Sequence, residues 1–283
     1  MTTRLPDYVT TRPQDYVYPL TTWRRLDTGE RDGATNMAID EAILRGVADG
    51  SSPPTLRFFA WRPACLSLGQ AQPAGDVDFD ACRALGVDVV RRPTGGRAIL
   101  HVDELTYSVA APESEARVQG GIVESYRRLS EGLLAGLSRI GLPVQQVERP
   151  DNHDRDQGPV CFEVPSNYEI VFDGHKLVGS AQVRKNGVVL QHGSLPLVGD
   201  IARICDVLAT KPDRERVRAR AITVERAIGR AVTFDSAARS MAEGFASLLN
   251  LRLEPGDLTP PERVWAEELR RDKYASDAWT RRI

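Results

Sequence analysis

Apolar residues recur at helical spacing in two clear stretches of the chain. The first helix is predicted to begin at Thr35 or Asn36, either of which can cap it, and to end before Gly50. The second runs from about Val123 to Ile140, where apolar side chains recur at steps of three and four residues. The last third of the chain is also predicted to be helical, in pieces near 200–209, 211–229, 235–250 and 262–272.

Alternating and β-branched runs between these helices predict strands. From Tyr168 to Leu197 they predict a three-stranded meander, with Asp173-Gly174 and Asn186-Gly187 as hairpin turns, because both dipeptides tolerate positive φ. Earlier strands are predicted near 56–58, 66–68, 87–90, 98–100 and 105–110. The strands cluster without strict alternation with helices. The predicted fold class is therefore α+β, with a large mixed or antiparallel sheet flanked by helices, and not a Rossmann fold.

Composition and charge exclude several protein classes. The 283 residues are 41% hydrophobic and 27% charged, with a formal net charge of −2, which argues against a nucleic-acid partner. No apolar run approaches the ~18 residues of a membrane helix, and the N-terminus has no apolar signal segment, so no membrane partner is expected. The four cysteines and four histidines show no metal-binding spacing, so neither metal nor cofactor is expected. Free thiols without an export signal indicate the cytoplasm.

Three features could carry chemistry. Residues 92–98 read Arg-Pro-Thr-Gly-Gly-Arg-Ala, which fits either a Gly-Gly turn or a loop that lets a substrate touch the backbone. Cys161 fits either a buried small residue or a nucleophile, and a nucleophile needs a nearby cation because a free thiol has a pKa of about 8.5. Lys176 fits either a surface lysine or one directed into a site, since the small apolar segment 177–181 follows it.

Two further features leave a choice open. His192, followed by Gly193 and Ser194, fits either a structural histidine or the wall of a site. The segment 211–230 has seven basic and three acidic residues, a local charge of +4, which fits either a solvated helix face or a docking patch for an acidic partner.

The chain resembles the biotin/lipoate protein ligase family, and most closely its cysteine-containing, single-domain octanoyltransferases. The matching stretches occur in family order; they are 23–27, 36–42, 57–61, 91–98 with His101, 104–108, 161–169, 176–182 and 190–194, with Tyr274 and Trp279 near the end. The resemblance implies a large sheet flanked by helices, a smaller sheet, and an acyl tunnel under the Gly95-Gly96 loop. It also implies an N-terminal extension at 1–22, a catalytic domain at 23–250 and a helical tail at 251–283.

The resemblance further implies the site and the reaction. Cys161 would be the acyl-thioester nucleophile, and Lys176 would lower its pKa. The expected substrate-binding residues are Arg92, Thr94, Gly95, Gly96, Arg97, His101, Gly179, Ser180, Ala181, His192 and Gly193. The expected donor is octanoyl-acyl carrier protein. The expected acceptor is the lipoyl-domain lysine of a glycine cleavage H protein or a dehydrogenase E2 subunit.

Three alternatives stay open at this point. The first is an amidotransferase that moves octanoyl between lipoyl domains. The second is an ATP-dependent lipoate ligase, although such ligases generally carry an Asn-Asp type sequence where this chain has Cys161-Phe162, and many have an extra C-terminal domain for which the chain is too short after residue 250. The third is a non-catalytic module that binds an acyl carrier, which the presence of both Cys161 and Lys176 disfavours.

Overall fold

The computed structural model describes residues 18–148 and 168–283. The strands are β1 (Thr21–Arg31), β2 (Thr55–Trp61), β3 (Cys65–Leu68), β4 (Asp88–Arg91), β5 (Ile99–His101), β6 (Glu104–Pro112), β7 (Gln145–Glu148), β8 (Tyr168–Phe172), β9 (His175–Lys185), β10 (Val188–Pro196) and β11 (Leu251–Pro255). The helices are α1 (Gly33–Ala48), α2 (Phe79–Ala84), α3 (Ile122–Arg139), α4 (Arg214–Arg218), α5 (Val224–Ile228), α6 (Phe234–Leu248), α7 (Pro260–Leu269) and α8 (Asp277–Thr280). Within these ranges, no helix combines the length and apolar character needed to cross a bilayer.

The strands form one large and one small sheet, so the predicted α+β class is confirmed. The large sheet has the order β11-β1-β2-β6-β10-β9-β8-β7. Its first three strands are parallel to one another, and the remaining pairs are antiparallel, which makes it mixed. In the small sheet β3 lies between β4, its parallel neighbour, and β5, its antiparallel neighbour.

Helices cover both faces of the large sheet. Phe58 packs in an apolar cluster with α3 and α6, whereas Phe59 packs in a separate cluster with α1. Because neighbouring residues of a strand point to opposite faces, α1 and the α3–α6 pair must lie on opposite sides of the sheet. The α3–α6 pair packs closely at Gly244, where a Cβ would lie 2.3 Å from the Gly132 carbonyl oxygen.

The local sequence explains the main elements. Helix α1 begins two or three residues earlier than predicted, because its cap is Asp32 and not Thr35 or Asn36. The Asp32 carboxylate accepts hydrogen bonds from the amide and the hydroxyl of Thr35, both at 2.8 Å. The predicted meander is confirmed as β8, β9 and β10. Positive φ angles occur at both residues of each hairpin turn, with values of 47° and 76° at Asp173-Gly174 and 54° and 72° at Asn186-Gly187.

The segments expected to lie outside the catalytic domain, at the beginning and the end of the chain, contact its two sheets. The expected helical tail at 251–283 instead starts with a strand, β11, which pairs in parallel with β1. Farther on, the Arg91 guanidinium donates a hydrogen bond of 2.8 Å to the carbonyl of Thr280, and the Trp279 indole donates one of 2.8 Å to the carbonyl of Arg91. Strand β1 begins at Thr21, inside the range expected for the N-terminal extension.

Candidate functional site

Two rows of residues cross the four central strands on the face that α1 covers. Residues paired in register share a face, as do residues two apart in one strand. The first row consists of Ala181 in β9, His192 in β10, Ser108 in β6 and Arg57 in β2. The second row, two residues farther along, consists of Gly179, Ser194, Thr106 and Phe59.

A buried polar network links the first row to α1. Asp40 of α1 accepts hydrogen bonds from the Arg57 guanidinium at 2.7 Å and from the Ser108 hydroxyl at 2.8 Å. Its second oxygen lies 3.2 Å from Nδ1 of His192. Burial opposes ionisation of Asp40, but the Arg57 charge and the His192 hydrogen bond outweigh it and hold the pKa of this carboxyl below its ordinary value. The network therefore keeps a charged carboxylate inside the protein.

The imidazole of His192 joins this network to the Gly-Gly loop. Its Nε2 lies 2.6 Å from the hydroxyl oxygen of Thr94. Burial lowers the pKa of His192, despite the Asp40 carboxylate beside it, so the ring is neutral at pH 7. The neutral ring donates from Nδ1 to Asp40 and accepts at Nε2 from Thr94. One imidazole thus ties helix, strand and loop together.

Arg92 holds the loop in shape. Its guanidinium donates to the carbonyls of Gly95 at 2.8 Å, Arg97 at 2.7 Å and Ser67 at 2.9 Å. Gly96 has a φ of +88°, which favours glycine. Gly69, which the sequence interpretation missed, lies directly against the loop, because a Cβ there would be 1.9 Å from the Gly96 carbonyl oxygen. Its sole signal in the sequence is a glycine at the end of a predicted strand.

A second buried network surrounds His101. Its Nδ1 lies 2.7 Å from a carboxylate oxygen of Glu104, and its Nε2 lies 2.8 Å from the hydroxyl of Ser67. The Trp61 indole stacks on the imidazole, with ring centres 4.0 Å apart and an interplanar angle of 10°. The indole nitrogen also donates a hydrogen bond of 2.8 Å to Thr106. Both rings are therefore fixed in place.

The two networks line a small cavity. It is lined by Met37, Trp61, Ser67, Arg92, Ile99, His101, Thr106, Gly179, Ala181, His192, Gly193 and Ser194. Six of the expected substrate-binding residues are among them, and Thr94 is joined to the lining through His192. The expected residue Ser180 lies on the opposite face of β9, where its hydroxyl is 2.8 Å from that of Tyr107. Gly95, Gly96 and Arg97 form the exposed or half-exposed part of the loop.

An irregularity in β9 places Lys176 on the cavity face. Ile170 pairs with Val178, but the next residue of β8, Val171, pairs with Lys176, so Leu177 is an extra residue in a β-bulge. Regular alternation would put Lys176 on the face opposite Gly179. The bulge reverses that alternation, and Lys176, which is 5% exposed, shares the face of Gly179. Its expected partner Cys161 lies outside the described residues.

The geometry offers no metal site among 18–148 and 168–283, where no three His, Cys, Asp or Glu side chains cluster as metal ligands would. Fold and site together define an α+β catalytic domain with a small cavity and a buried lysine on the same face of β9 as the lining residue Gly179. The chain belongs to the lipoyl protein ligase A/B catalytic domain family, whose model matches residues 32–246.

The sequence relatives narrow this further. The octanoyltransferase LipM of Kyrpidia tusciae is 46% identical over 273 residues, which cover 92% of this chain and 99% of that protein. LipM of Bacillus subtilis is 39% identical over 271 residues, which cover 91% of this chain and 97% of that protein. The chain is therefore an acyltransferase, as the sequence predicted.

Solved structures support the fold. A lipoate protein ligase from Thermoplasma acidophilum has a TM-score of 0.76 and 24% identity, covering 92% of this chain and 96% of that chain. A lipoate-protein ligase A bound with ATP has a TM-score of 0.78 and 24% identity, covering 92% of this chain and 99% of that one. At this identity the likeness concerns the fold, and the predicted sheet architecture is confirmed.

Proposed function

We propose that this acyltransferase moves an octanoyl group from octanoyl-acyl carrier protein to the lysine of a lipoyl domain, in lipoate biosynthesis. The acceptor would be a glycine cleavage H protein or a dehydrogenase E2 subunit. The observation that carries the proposal is the 46% identity to an octanoyltransferase along 99% of that relative's length. The cavity supports it, because its lining brings six of the expected substrate-binding residues together.

The proposed reaction has two acyl-transfer steps. The thiolate of Cys161 attacks the carbonyl of the carrier thioester, a new thioester forms on Cys161, and the carrier thiol leaves with a proton. The amine of the acceptor lysine then attacks the Cys161 thioester, an amide forms, and the Cys161 thiol is regenerated. The first step exchanges one thioester for another and the second is downhill, so no nucleotide, metal or cofactor enters the proposed reaction.

Lys176 is assigned a role in both steps. An ammonium group near the thiol favours the thiolate, and it can donate a hydrogen bond to the carbonyl oxygen as negative charge develops there. Its burial and its position on the face of Gly179 support this role. A buried charge acts more strongly than an exposed one, because water screens it less.

The residues around the cavity are assigned to the acyl chain. Gly179, Ala181 and Gly193 bring small residues or bare backbone to the floor. The loop that contains Gly95, Gly96 and Arg97 would cover the chain, with Arg92 and Thr94 holding the loop in position. His101 and His192 would form side walls. The free, buried thiols of Cys65 and Cys82 support a reducing compartment, and we place the enzyme in the cytoplasm.

Intact-protein mass spectrometry tests the proposal. The enzyme is incubated with octanoyl-acyl carrier protein in the absence of ATP, and a lipoyl domain is then added. We expect one octanoyl adduct on the enzyme, which the lipoyl domain then removes. Strict dependence on ATP and free acid would identify a ligase instead. Acylation by an octanoylated lipoyl domain but not by the carrier would identify an amidotransferase, and no transfer from any donor would identify a non-catalytic module.

A further inference from the structure

We propose that segment 279–282, which spans the end of α8, holds the Gly-Gly loop closed over the acyl chain, and that Arg91 transmits this hold through the turn 69–72 that follows β3. The proposal rests on the octanoyl-transfer function above and adds to it positioning residues outside the cavity. The family model ends at residue 246, so segment 279–282 lies beyond the part of the chain that it matches.

Arg91 is a buried cation surrounded by backbone oxygens. With Nη1 its guanidinium donates to the turn, at the carbonyls of Gly69 at 2.8 Å, Gln70 at 3.3 Å and Gln72 at 2.6 Å. With Nε and Nη2 it donates to the Thr280 carbonyl, at 3.1 and 2.8 Å. Within the described ranges this fully buried side chain forms no ion pair with a carboxylate. Because a buried charge is costly when its donors lack acceptors, Arg91 favours the arrangement in which turn and segment are both docked.

The turn lies against the Gly-Gly loop. The Gln70 amide donates a hydrogen bond of 2.8 Å to the Thr94 carbonyl. Gly69 approaches the loop so closely that a Cβ there would lie 1.9 Å from the Gly96 carbonyl oxygen. The hydroxyl of Thr94 is also held from the sheet by His192, so the loop is fixed from two sides. A displacement of the turn would therefore pass directly to the loop.

Two side chains of segment 279–282 make further contacts with Arg91 and the turn. The Trp279 indole donates a hydrogen bond of 2.8 Å to the Arg91 carbonyl, and the Arg282 guanidinium donates one of 2.9 Å to the Gln70 carbonyl. The two side chains also contact each other, with the guanidinium carbon of Arg282 3.8 Å from the centre of the Trp279 ring. The segment and the turn are thus joined firmly enough to move together.

A closed loop protects the proposed acyl-enzyme from water. Water that reaches the thioester of Cys161 would form a bond to the acyl carbon, break the carbon–sulfur bond, and release octanoate while the thiol regains its proton. Gly95 and Gly96 are exposed and have no side chains, so the loop excludes water by the position of its backbone. Loosening segment 279–282 should therefore shorten the lifetime of the acyl-enzyme without removing any group that reacts.

The test measures how long the octanoyl-enzyme survives in buffer without an acceptor, by intact-protein mass spectrometry. One variant is the double substitution Trp279→Phe/Arg282→Ala, which keeps an aromatic ring but removes both donors to Arg91 and the turn. The other is Arg91→Lys, because a single ammonium cannot donate to the turn and to Thr280 as the planar guanidinium does. If Arg91→Lys does not fold, the double variant decides by itself.

The matched control is Arg281→Ala. It removes the neighbouring exposed arginine, whose side chain pairs with Asp277 and lies over the Phe79 ring, away from the turn. We expect the half-life of the octanoyl-enzyme to fall about fivefold or more in the double variant and in Arg91→Lys, and by less than about twofold in the control. A purely structural role would lower the midpoint of urea unfolding and leave the half-life in the folded enzyme unchanged.

Hydrogen–deuterium exchange of the unacylated proteins provides a second measurement. The Gln70 amide reports directly on the contact between the turn and the Gly-Gly loop, because it donates to Thr94. In the double variant we expect peptides from 69–74 and 93–97 to exchange about threefold faster or more than in the wild type, and in Arg281→Ala at the wild-type rate.

Three results would overturn the proposal. They are unchanged exchange at the turn and the loop in the double variant, faster exchange with an unchanged half-life of the octanoyl-enzyme, and an equal effect of Arg281→Ala. If the wild-type enzyme forms no acyl-enzyme from any donor, the proposed function fails separately. The hold of segment 279–282 on the loop is then judged by exchange alone, and equal rates in the double variant and the wild type refute it.

Discussion

Asp40 of α1 and His192 of β10 meet across the helix–sheet interface, with a carboxylate oxygen 3.2 Å from the imidazole Nδ1. The pKa of each group is lowered: in Asp40 by its cationic and hydrogen-bonding neighbours in spite of burial, and in His192 by burial. A neutral imidazole between a carboxylate and the Thr94 hydroxyl gives the Gly-Gly loop a fixed anchor on the sheet. Protonating this imidazole would remove the acceptor that Thr94 uses.

The lowered pKa of His192 makes stability depend on pH. The unfolded state takes up a proton near its ordinary value of ~6.5, whereas the folded state resists protonation until lower pH. Stability therefore falls as the pH drops below about 6.5, by at most ~1.4 kcal/mol per pH unit for this one group. We expect His192→Gln to flatten the dependence measured by urea unfolding between pH 5 and 7. His175→Gln, at a partly exposed site, should keep the wild-type slope. A slope unchanged in His192→Gln would contradict this.

The cysteine–lysine pair predicts a defined pattern of variants. Cys161→Ala should abolish the octanoyl adduct. Lys176→Ala should slow adduct formation by about 100-fold or more at pH 7, because both the thiolate and the oxyanion lose a cation. Lys176→Arg should restore little of the lost rate of adduct formation, since a planar guanidinium does not reproduce the geometry of a compact ammonium. Rates are measured by mass spectrometry across pH 6 to 9.

The pH profile of Lys176→Ala separates two roles. Recovery at alkaline pH indicates that Lys176 mainly promotes thiolate formation, and no recovery indicates that it mainly polarises the carbonyl. Cys65, Cys82 and Cys205 provide the controls, because all three are buried. Burial raises the pKa of the Cys65 thiol well above its ordinary value and that of Cys82 to about 11. An adduct on any of the three would rule out the mechanism.

The basic segment 211–230 adjoins β9 at Lys176. The Lys176 amide donates to the carbonyl of Arg220 at 2.8 Å, and the Ile222 amide donates to the carbonyl of Lys176 at 3.1 Å. An acidic carrier docked here would lie close to the lysine. We expect Arg216→Glu and Arg220→Glu, at two exposed positions, to lower kcat/KM for octanoyl-acyl carrier protein about tenfold at low salt, with a smaller effect at high salt.

The matched control for this docking prediction is Arg252→Glu. Arg252 is exposed on β11, at the opposite edge of the large sheet from β8 and β7. Its reversal changes the net charge of the protein by the same amount but leaves the basic segment intact. Equal losses in the Arg216 and Arg252 variants would show that overall charge, and not a docking patch, governs association.

Glu41 anchors the end of the chain to α1. Its carboxylate accepts from Tyr274 at 2.5 Å, Lys273 at 2.5 Å and Lys185 at 3.0 Å. Burial opposes its charge, but these donors lower its pKa to about 2. Tyr274→Phe should cost about 1.5–3 kcal/mol of unfolding free energy, because it removes one hydrogen bond to a buried charge. Urea unfolding should show the same cost at pH 7 and pH 4.5, since Glu41 stays ionised at both. A cost that vanishes at pH 4.5 would mean that Glu41 has already been protonated there.

The local elements were predictable because their determinants are local. Helix α3 was predicted at 123–140 and occurs at Ile122–Arg139, and both turns of the meander were found from two dipeptides. The order of the large sheet was not predictable in this way, because β11 pairs with β1 across more than two hundred residues. Such pairing depends on how whole elements pack, which no short window of sequence contains.

The features of the site also fall into those that a short motif predicts and those that depend on partners elsewhere in the chain. Nearly all its predicted residues came from short motifs, and six of the eleven predicted substrate-binding residues line one cavity. The ion pair between Arg57 and Asp40 joins two separate motifs, and nothing in either motif indicates the partner. The local charge of +4 in segment 211–230 was also an incomplete guide to a docking patch, because the count leaves out acids elsewhere in the chain. Its basic residues Lys211, Arg214 and Arg218 pair with acids that include residues outside the segment, Asp78, Asp206 and Asp200.

The extra residue in β9 has an evolutionary consequence. Whether Lys176 faces the cavity depends on the number of residues between it and Gly179, and the identity of Leu177 matters less than its presence. An in-frame loss of one codon at Leu177 would keep every side chain of the proposed chemistry and still turn the lysine to the wrong face. Substitution scans do not sample such changes, whereas deletion scans do. The face on which Lys176 lies is thus fixed by the number of residues in the strand at this point, and a deletion scan across β9 would reveal it.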